Sequence, residues 1–281
     1  MVLWWGRPAY TMFYNDAYHP VLGRTKHPGW LGRSGREGWH EICDLVGPMI
    51  DSVFATGEAT WSEDLLLIMD RNLPREEVYF TFSYSPTYVE SGRVGGVFAA
   101  CTETTERVVG ERRLRTLSDL AARTSEARTA EEACQLAWQR LASRDSEVAF
   151  ALAYLLSADG TQAHLVVDPT GLDPRAAPKV IALSNAADEA EDWPLAEVAA
   201  SGNAVLVTDL VGRFGPLLGG MWPEPATTAL VLPLAAPGYG QLAGFLVAGA
   251  NPRLVLDVPY RTFFELVASQ VATAIAHARA L

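Results

Sequence analysis

The sequence predicts an α+β chain of two domains, each a mixed or antiparallel sheet flanked by helices, joined by a connector helix and closed by a long C-terminal helix. Three patterns carry that reading. Val78, Phe80, Phe82 and Tyr84 alternate with Tyr79, Thr81 and Ser83, the period of a strand with one buried face. From Thr104 to Ala127 the composition turns to Glu, Arg, Leu and Ala with no proline, which suits a helix. Short apolar runs then resume, and the chain ends on a helical pattern. The division is residues 1–105, 106–127 and 128–281.

The first block opens with a short strand, Met12–Tyr14, ended by a turn at Asn15-Asp16. Gly29–Glu37 is a glycine-punctuated loop with helical turns. Val46, Met49, Ile50, Val53 and Phe54 fall at helical spacing before Gly57, a helix stop. Strands follow at Ala59–Met69, Val78–Val89 and Gly95–Thr102, the last entered through a turn at Ser91-Gly92.

The connector takes Thr104 or Thr105 as its N-cap. Leu114, Leu117 and Ala121 recur at helical spacing, and the segment is expected to run straight into an amphipathic helix, Glu131–Ala142. Val148–Leu156 and His164–Val167 form a hairpin about Asp159-Gly160. Pro194–Ala200 is a short helix stopped at Gly202-Asn203, and Ala204–Thr208 is a strand. Thr228–Leu234 and Leu242–Ala248 pair through Pro237–Gly240. The final helix starts near Val258. Its residues Phe264, Val267, Val271, Ala274, Ala278 and Leu281 make a heptad seam. Phe263, Leu266 and Val267 are expected to pack on the helix's own sheet, and the later, smaller seam positions suit pairing of helices in a homodimer.

With 22 Lys plus Arg against 33 Asp plus Glu, the net charge of −11 argues against a nucleic-acid or anionic-membrane partner. Cys43, Cys101 and Cys134 are far apart and form no CxxC pair, which fits a reducing cytoplasm and no structural zinc. No signal peptide or membrane-length apolar run is legible. P-loop, HExxH and GxSxG motifs are absent. His19, His27, His40, His164 and His277 are scattered and read as surface or turn residues. Glu63-Asp64 and Glu76-Glu77 read as solvated turn and edge charges. The aromatic residues of the first block, among them Trp4, Trp5, Phe13, Tyr14, Trp30, Trp39, Trp61 and Tyr79, are expected mostly in its core, with a pocket for a flat ligand as the other use. No catalytic residue, metal ligand or cofactor is assigned. A competing reading is a small-molecule enzyme drawing on Asp168, Asp173, Asp188 and Asp209.

The stretches Phe13–Tyr18, Leu31–Trp39, Ala55–Asp64 and Phe80–Pro86, in that order, resemble a PAS domain of the kind found at the front of bacterial sensor histidine kinases. Thr102-Glu103-Thr104-Thr105-Glu106-Arg107 is similar to the family's terminal D-I-T-E-R signature, with Glu103 at the acid position. Ala204–Leu210, Leu230–Leu234, Gly244–Gly249 and the closing Phe263–Leu281 helix resemble a GAF domain. The resemblance implies a sensory input module. An acid and a hydroxyl, here Glu103 and Thr105, tie the last strand to the outgoing helix, with Gly110 as a hinge. Ligand or partner binding would be relayed through the helices to a downstream kinase or other output domain. Together with the charge, the short apolar runs and the seam above, it gives a homodimer, a small-molecule ligand that the residues do not identify, no membrane and no nucleic acid. No Asn-Cys-Arg-Phe flavin loop is present, Cys134 has no adjacent His for a bilin, and His40 is the histidine considered for a haem pocket. The chain begins inside the expected first strand and ends without a phosphoacceptor box or ATP-binding region, so a piece of a larger protein is expected. A ligand-free dimerisation scaffold is the remaining alternative.

Overall fold

The computed structural model describes residues 1–143, 147–168, 172–183, 193–236 and 241–280. The chain divides into two compact units, Met1–Gly110 and Glu111–Leu281. Among the described residues no helix is long and apolar enough to cross a membrane.

The first unit is one antiparallel sheet with helices on its inner face. Its strands are β1 (Val2–Trp5), β2 (Thr11–Tyr14), β3 (Thr60–Met69), β4 (Glu76–Tyr88) and β5 (Val94–Glu103), in the order β2-β1-β5-β4-β3. Its helices are α1 (His19–Lys26), α2 (Gly35–Gly38) and α3 (His40–Thr56). Val78, Phe80, Phe82 and Tyr84 all point inward, as their alternation requires, and meet Ile42, Val46, Ile50 and Val53 of α3. The helix starts at His40 rather than Val46 and ends where expected. Gly57 adopts φ +71° and returns its N–H to the Val53 carbonyl at 2.9 Å, a left-handed cap that glycine takes without a Cβ clash.

One expectation fails in this unit, and another has exceptions. Glu76 and Glu77 are buried, not solvated. A buried carboxylate needs partners, and both have them. Glu76 pairs with Arg71 at 3.1 Å and accepts the Asn72 N–H at 3.0 Å, while Glu77 accepts the Tyr79 hydroxyl at 3.0 Å. Conversely, Trp5, Phe13 and Trp61 are exposed, because they sit on the outer side of the pleat.

Helix α4 (Thr105–Thr124) is continuous. Of the expected stripe, Leu114 and Ala121 are solvent-facing and Leu117 is half-buried against the core; Thr116, Leu120 and Thr124 face in. The polar members are satisfied there. Thr116 Oγ1 accepts from Arg140 at 3.1 Å, and Arg140 also binds Asp119 at 3.0 Å. A turn separates α4 from α5 (Ala130–Leu141), so the connector does not run straight on. Thr129 caps α5 by accepting the Glu132 N–H at 3.1 Å.

The second unit is a six-stranded antiparallel sheet, β8-β7-β6-β11-β10-β9. The strands are β6 (Val148–Leu156), β7 (Gln162–Val167), β8 (Val180–Ala182), β9 (Val205–Val207), β10 (Ala229–Ala235) and β11 (Leu242–Ala250). Short helices α6 (Leu195–Ser201) and α7 (Leu210–Phe214) precede β9 and β10, and α8 (Val258–Ala280) closes the chain. The Pro237–Gly240 connection and Asp188 lie outside the described residues.

Central strand β6 is covered on both faces, which explains its unbroken apolar run. Ala151, Ala153 and Leu155 face α5 and α8, while Phe150, Leu152 and Tyr154 meet Trp193, Leu210 and Phe214. Helix α8 spends its seam on this core. Phe264, Val267, Val271, Ala274 and Ala278 are buried within the unit, so they do not form the expected surface for a partner helix; Leu281 lies outside the described residues. The apolar stripe is wide enough to cover the sheet and leaves Leu266, expected inside, exposed. Glu147, fully buried, forms ion pairs with Arg112 and, at 3.5 Å, with Arg113, and Arg113 lies 4.2 Å from the Tyr260 ring centroid. That cluster fastens α4 to the start of β6 and of α8.

Replacing Glu147 by Ala takes this carboxylate from two largely buried guanidinium groups. Urea unfolding is expected to show a loss of about 3–5 kcal/mol; an unchanged midpoint would mean the cluster does not hold α4. A second expectation concerns pH. Asp159 accepts from Ser157 Oγ at 2.6 Å, from the Thr161 N–H at 3.1 Å and from Thr161 Oγ1 at 2.8 Å, which pulls its carboxyl down to about 2. Because the folded value is depressed, the turn's contribution is complete above the unfolded value of about 3.9 and is lost as pH falls through the folded one. Carboxyl NMR titration should give a midpoint near 2; an ordinary aspartate midpoint would show the turn unformed.

Candidate functional site

A cavity of about 40 Å³ lies within the core of the first unit. Each neighbouring element contributes apolar wall. Val2 and Trp4 come from β1, Leu67 and Met69 from β3, Phe80, Phe82 and Tyr84 from β4, and Ala99 and Cys101 from β5. Trp39, Ile42 and Val46 supply the side of α3, and Tyr18 and Val21 that of α1. None of these side chains carries a charge. Burial pushes the Tyr18 and Tyr84 phenols well above the usual tyrosine value and raises the Cys101 thiol, so all three are neutral.

Buried cations stand just behind the wall. Lys26 donates to the Gly38 carbonyl and to Glu41 Oε1, both at 2.7 Å, and sits 4.5 Å from the Trp39 ring centroid. It thereby ties α1 to α3. Arg71 follows the cavity-lining end of β3. Its guanidinium grips Glu103 with two bonds, 2.6 and 2.8 Å, and also meets Glu76 and the Pro20 carbonyl. Burial opposes the Arg71 charge, but Glu103 and Glu76 outweigh it and raise its pKa.

Glu103 and Thr105, two of the residues assigned to relay, are joined directly. Thr105 Oγ1 donates to Glu103 Oε1 at 2.9 Å and accepts the Tyr79 N–H at 3.0 Å. The Thr104 N–H binds the Tyr79 carbonyl at 2.8 Å. Arg107, in the next turn of α4, pairs with Asp64 at the bulge of β3, and this guanidinium holds the Asp64 carboxyl below its usual range. The start of α4 is thus bonded to the ends of β3, β4 and β5. Gly110, the third assigned residue, lies within the helix, and a methyl group there would meet open space.

Arg71 was not legible as a partner of Glu103, since Asp70-Arg71-Asn72 reads as a polar turn. The available signal was the acid position itself: a carboxylate closing a buried strand requires a nearby cation. The histidines are less scattered than expected. His19 and His27 stack at 3.7 Å, and Tyr14 Oη lies 3.0 Å from His27 Nδ1. His40 is exposed beside Glu41 and does not line the cavity.

In the second unit Trp193 stacks on Phe214 at 4.5 Å and donates to the Ala176 carbonyl at 2.7 Å. Asp209 caps α7 through the Gly212 N–H, Asp173 binds Arg175 of its own turn, and Asp168 is exposed. Burial pushes the Cys134 thiol up to about 12, which leaves no reactive thiolate. Among the described residues no cluster of three or more His, Cys, Asp or Glu is arranged for a metal.

No curated protein matches the sequence. Among solved structures, the GAF domain of an Acinetobacter phosphoenolpyruvate-protein phosphotransferase is 19% identical, covering 60% of this chain and 95% of that one with a TM-score of 0.43. The GAF domain of the potassium sensor histidine kinase KdpD from Escherichia coli is 16% identical, covering 59% and 95% with a TM-score of 0.39. The free methionine-R-sulfoxide reductase of Neisseria meningitidis, in complex with its substrate, is 12% identical, covering 60% and 90% with a TM-score of 0.42. At this level of similarity none of them assigns an activity to this chain. The family models are more direct: the PAS fold model matches residues 3–109 and the GAF domain model residues 123–276. The chain therefore belongs to the GAF domain family and carries a PAS fold ahead of its GAF domain.

Proposed function

We propose that this chain is the input part of a cytoplasmic two-component sensor histidine kinase, in which the PAS cavity takes a ligand and α4 carries the response toward the GAF domain, with no catalysis by the chain itself. One observation carries this reading: the Arg71–Glu103–Thr105 chain of hydrogen bonds links the strand end at the cavity wall to the first turn of α4. A ligand that binds one arrangement of Met69 and Arg71 better than another shifts the Glu103 carboxylate, and with it the start of the helix. Gly110 lowers the stiffness of α4 one turn later. The kinase context rests on the sequence resemblance of the first block.

In the full chain, Glu103→Gln keeps the shape of the side chain and removes its charge. The α4 amides at 106–110 are expected to exchange with deuterium about tenfold faster, with Gly110→Pro having the larger effect. The reading fails if exchange in α4 is unchanged while the domain stays folded.

Pairing with a second copy uses the exposed side of α4, where Leu114 and Ala121 lie, because the α8 seam is spent internally. Leu114→Glu is expected to convert a dimer to monomer in sedimentation velocity without loss of helicity. A dimer that survives the substitution would place the interface elsewhere.

A further inference from the structure

We infer that the PAS cavity selects a compact, neutral ligand bearing a hydrogen-bond acceptor, which the buried indole N–H groups of Trp4 and Trp39 bind. The inference rests on the ligand reading above and adds the chemistry of the ligand.

Trp4 and Trp39 both line the cavity and are 5% and 2% exposed. Neither indole nitrogen finds an acceptor among the described residues. The Trp39 N–H lies toward Tyr18 Oη and eases its ionisation a little, without reaching hydrogen-bond geometry. A buried donor without a partner is destabilising, so two lining one cavity are unusual for a domain core. An indole N–H donates and never accepts. The group that answers it is therefore an acceptor, such as a carbonyl, an ether or an aromatic nitrogen.

Charge is excluded by the same wall. A carboxylate or ammonium here would lose its hydration with no counter-ion to replace it. The nearest cations are already committed, Lys26 to Glu41 and Arg71 to Glu103 and Glu76. Size sets the remaining limit. The cavity volume of about 40 Å³ is well short of the roughly 150 Å³ apolar cavity that holds benzene. A cavity of about 40 Å³ has room for roughly three non-hydrogen atoms, so a small ether or aldehyde meets both requirements.

Three probes of three non-hydrogen atoms separate the possibilities: dimethyl ether, propane, which has its shape without an acceptor, and formate, which adds charge. The readout is the indole N–H resonances of the full chain with nitrogen-15-labelled tryptophan, assigned with Trp4→Phe and Trp39→Phe. Dimethyl ether is expected to shift the Trp4 and Trp39 signals saturably and to bind about fivefold or more tighter than propane. Formate is expected to leave both signals unmoved. In either Phe variant the preference for the ether over propane should fall by about threefold or more. Equal binding of ether and propane overturns the acceptor requirement and leaves the cavity reading standing. Tighter binding of formate overturns neutrality. If no probe moves either indole, the inference fails, whereas the deuterium exchange of the Glu103 variant separately decides the relay.

Discussion

The rest of the structure depends on how α4 is held. A helix twenty residues long has little stability of its own in water, and most of this one is polar. Its first turn is fixed by charge: Glu103 and Thr105 on one side, Asp64 and Arg107 on the other. Its later turns are fixed by burial of Leu120 and by the Arg112–Arg113–Glu147 cluster. Such contacts are directional. They set the helix rotation as well as its position, because a bidentate guanidinium–carboxylate pair tolerates little misalignment.

The same economy governs the PAS core. Its buried charges, Lys26, Arg71, Glu76 and Glu77, all lie at the margins and are paired. Its centre is aromatic and uncharged. The ions around the cavity are thus already paired with one another, and the cavity lining itself is uncharged. The adjoining Lys26–Glu41 and Arg71–Glu103 pairs also connect its walls to helices on two sides, so a change in wall position has polar contacts to act upon.

In the GAF domain the two faces of the sheet have different tasks. One receives α5 and α8 through small residues, Ala133, Ala137, Ala268 and Ala272, which let helix and sheet approach closely. The other is filled by Phe150, Trp193 and Phe214, with the Trp193 N–H satisfied by a backbone carbonyl. The contrast with Trp4 and Trp39 is informative: the same side chain is closed by the protein in one domain and left as a donor in the other.

The order and type of the main elements were legible in the residues alone. Period-two runs such as Val78–Tyr84 and stops such as Gly57 are local, set by backbone geometry and side-chain spacing. The acid and hydroxyl at Glu103 and Thr105 were legible because their motif is contiguous. What stayed hidden depended on distant neighbours. Glu76-Glu77 reads as a solvated pair until Arg71 and Tyr79 are seen beside it. The α8 seam reads equally as a partner surface or a core stripe, since heptad spacing specifies a face and not its occupant. The buried face of α4 ran through Thr116 and Thr124, polar residues that no hydrophobic pattern selects. By itself the sequence determined two sheet domains, a connecting helix and the residues that start it. The tertiary structure alone decided which charges are buried, which indoles lack a partner and which side of each helix is already used. Those properties are sums over residues far apart in the chain, and no local pattern contains them.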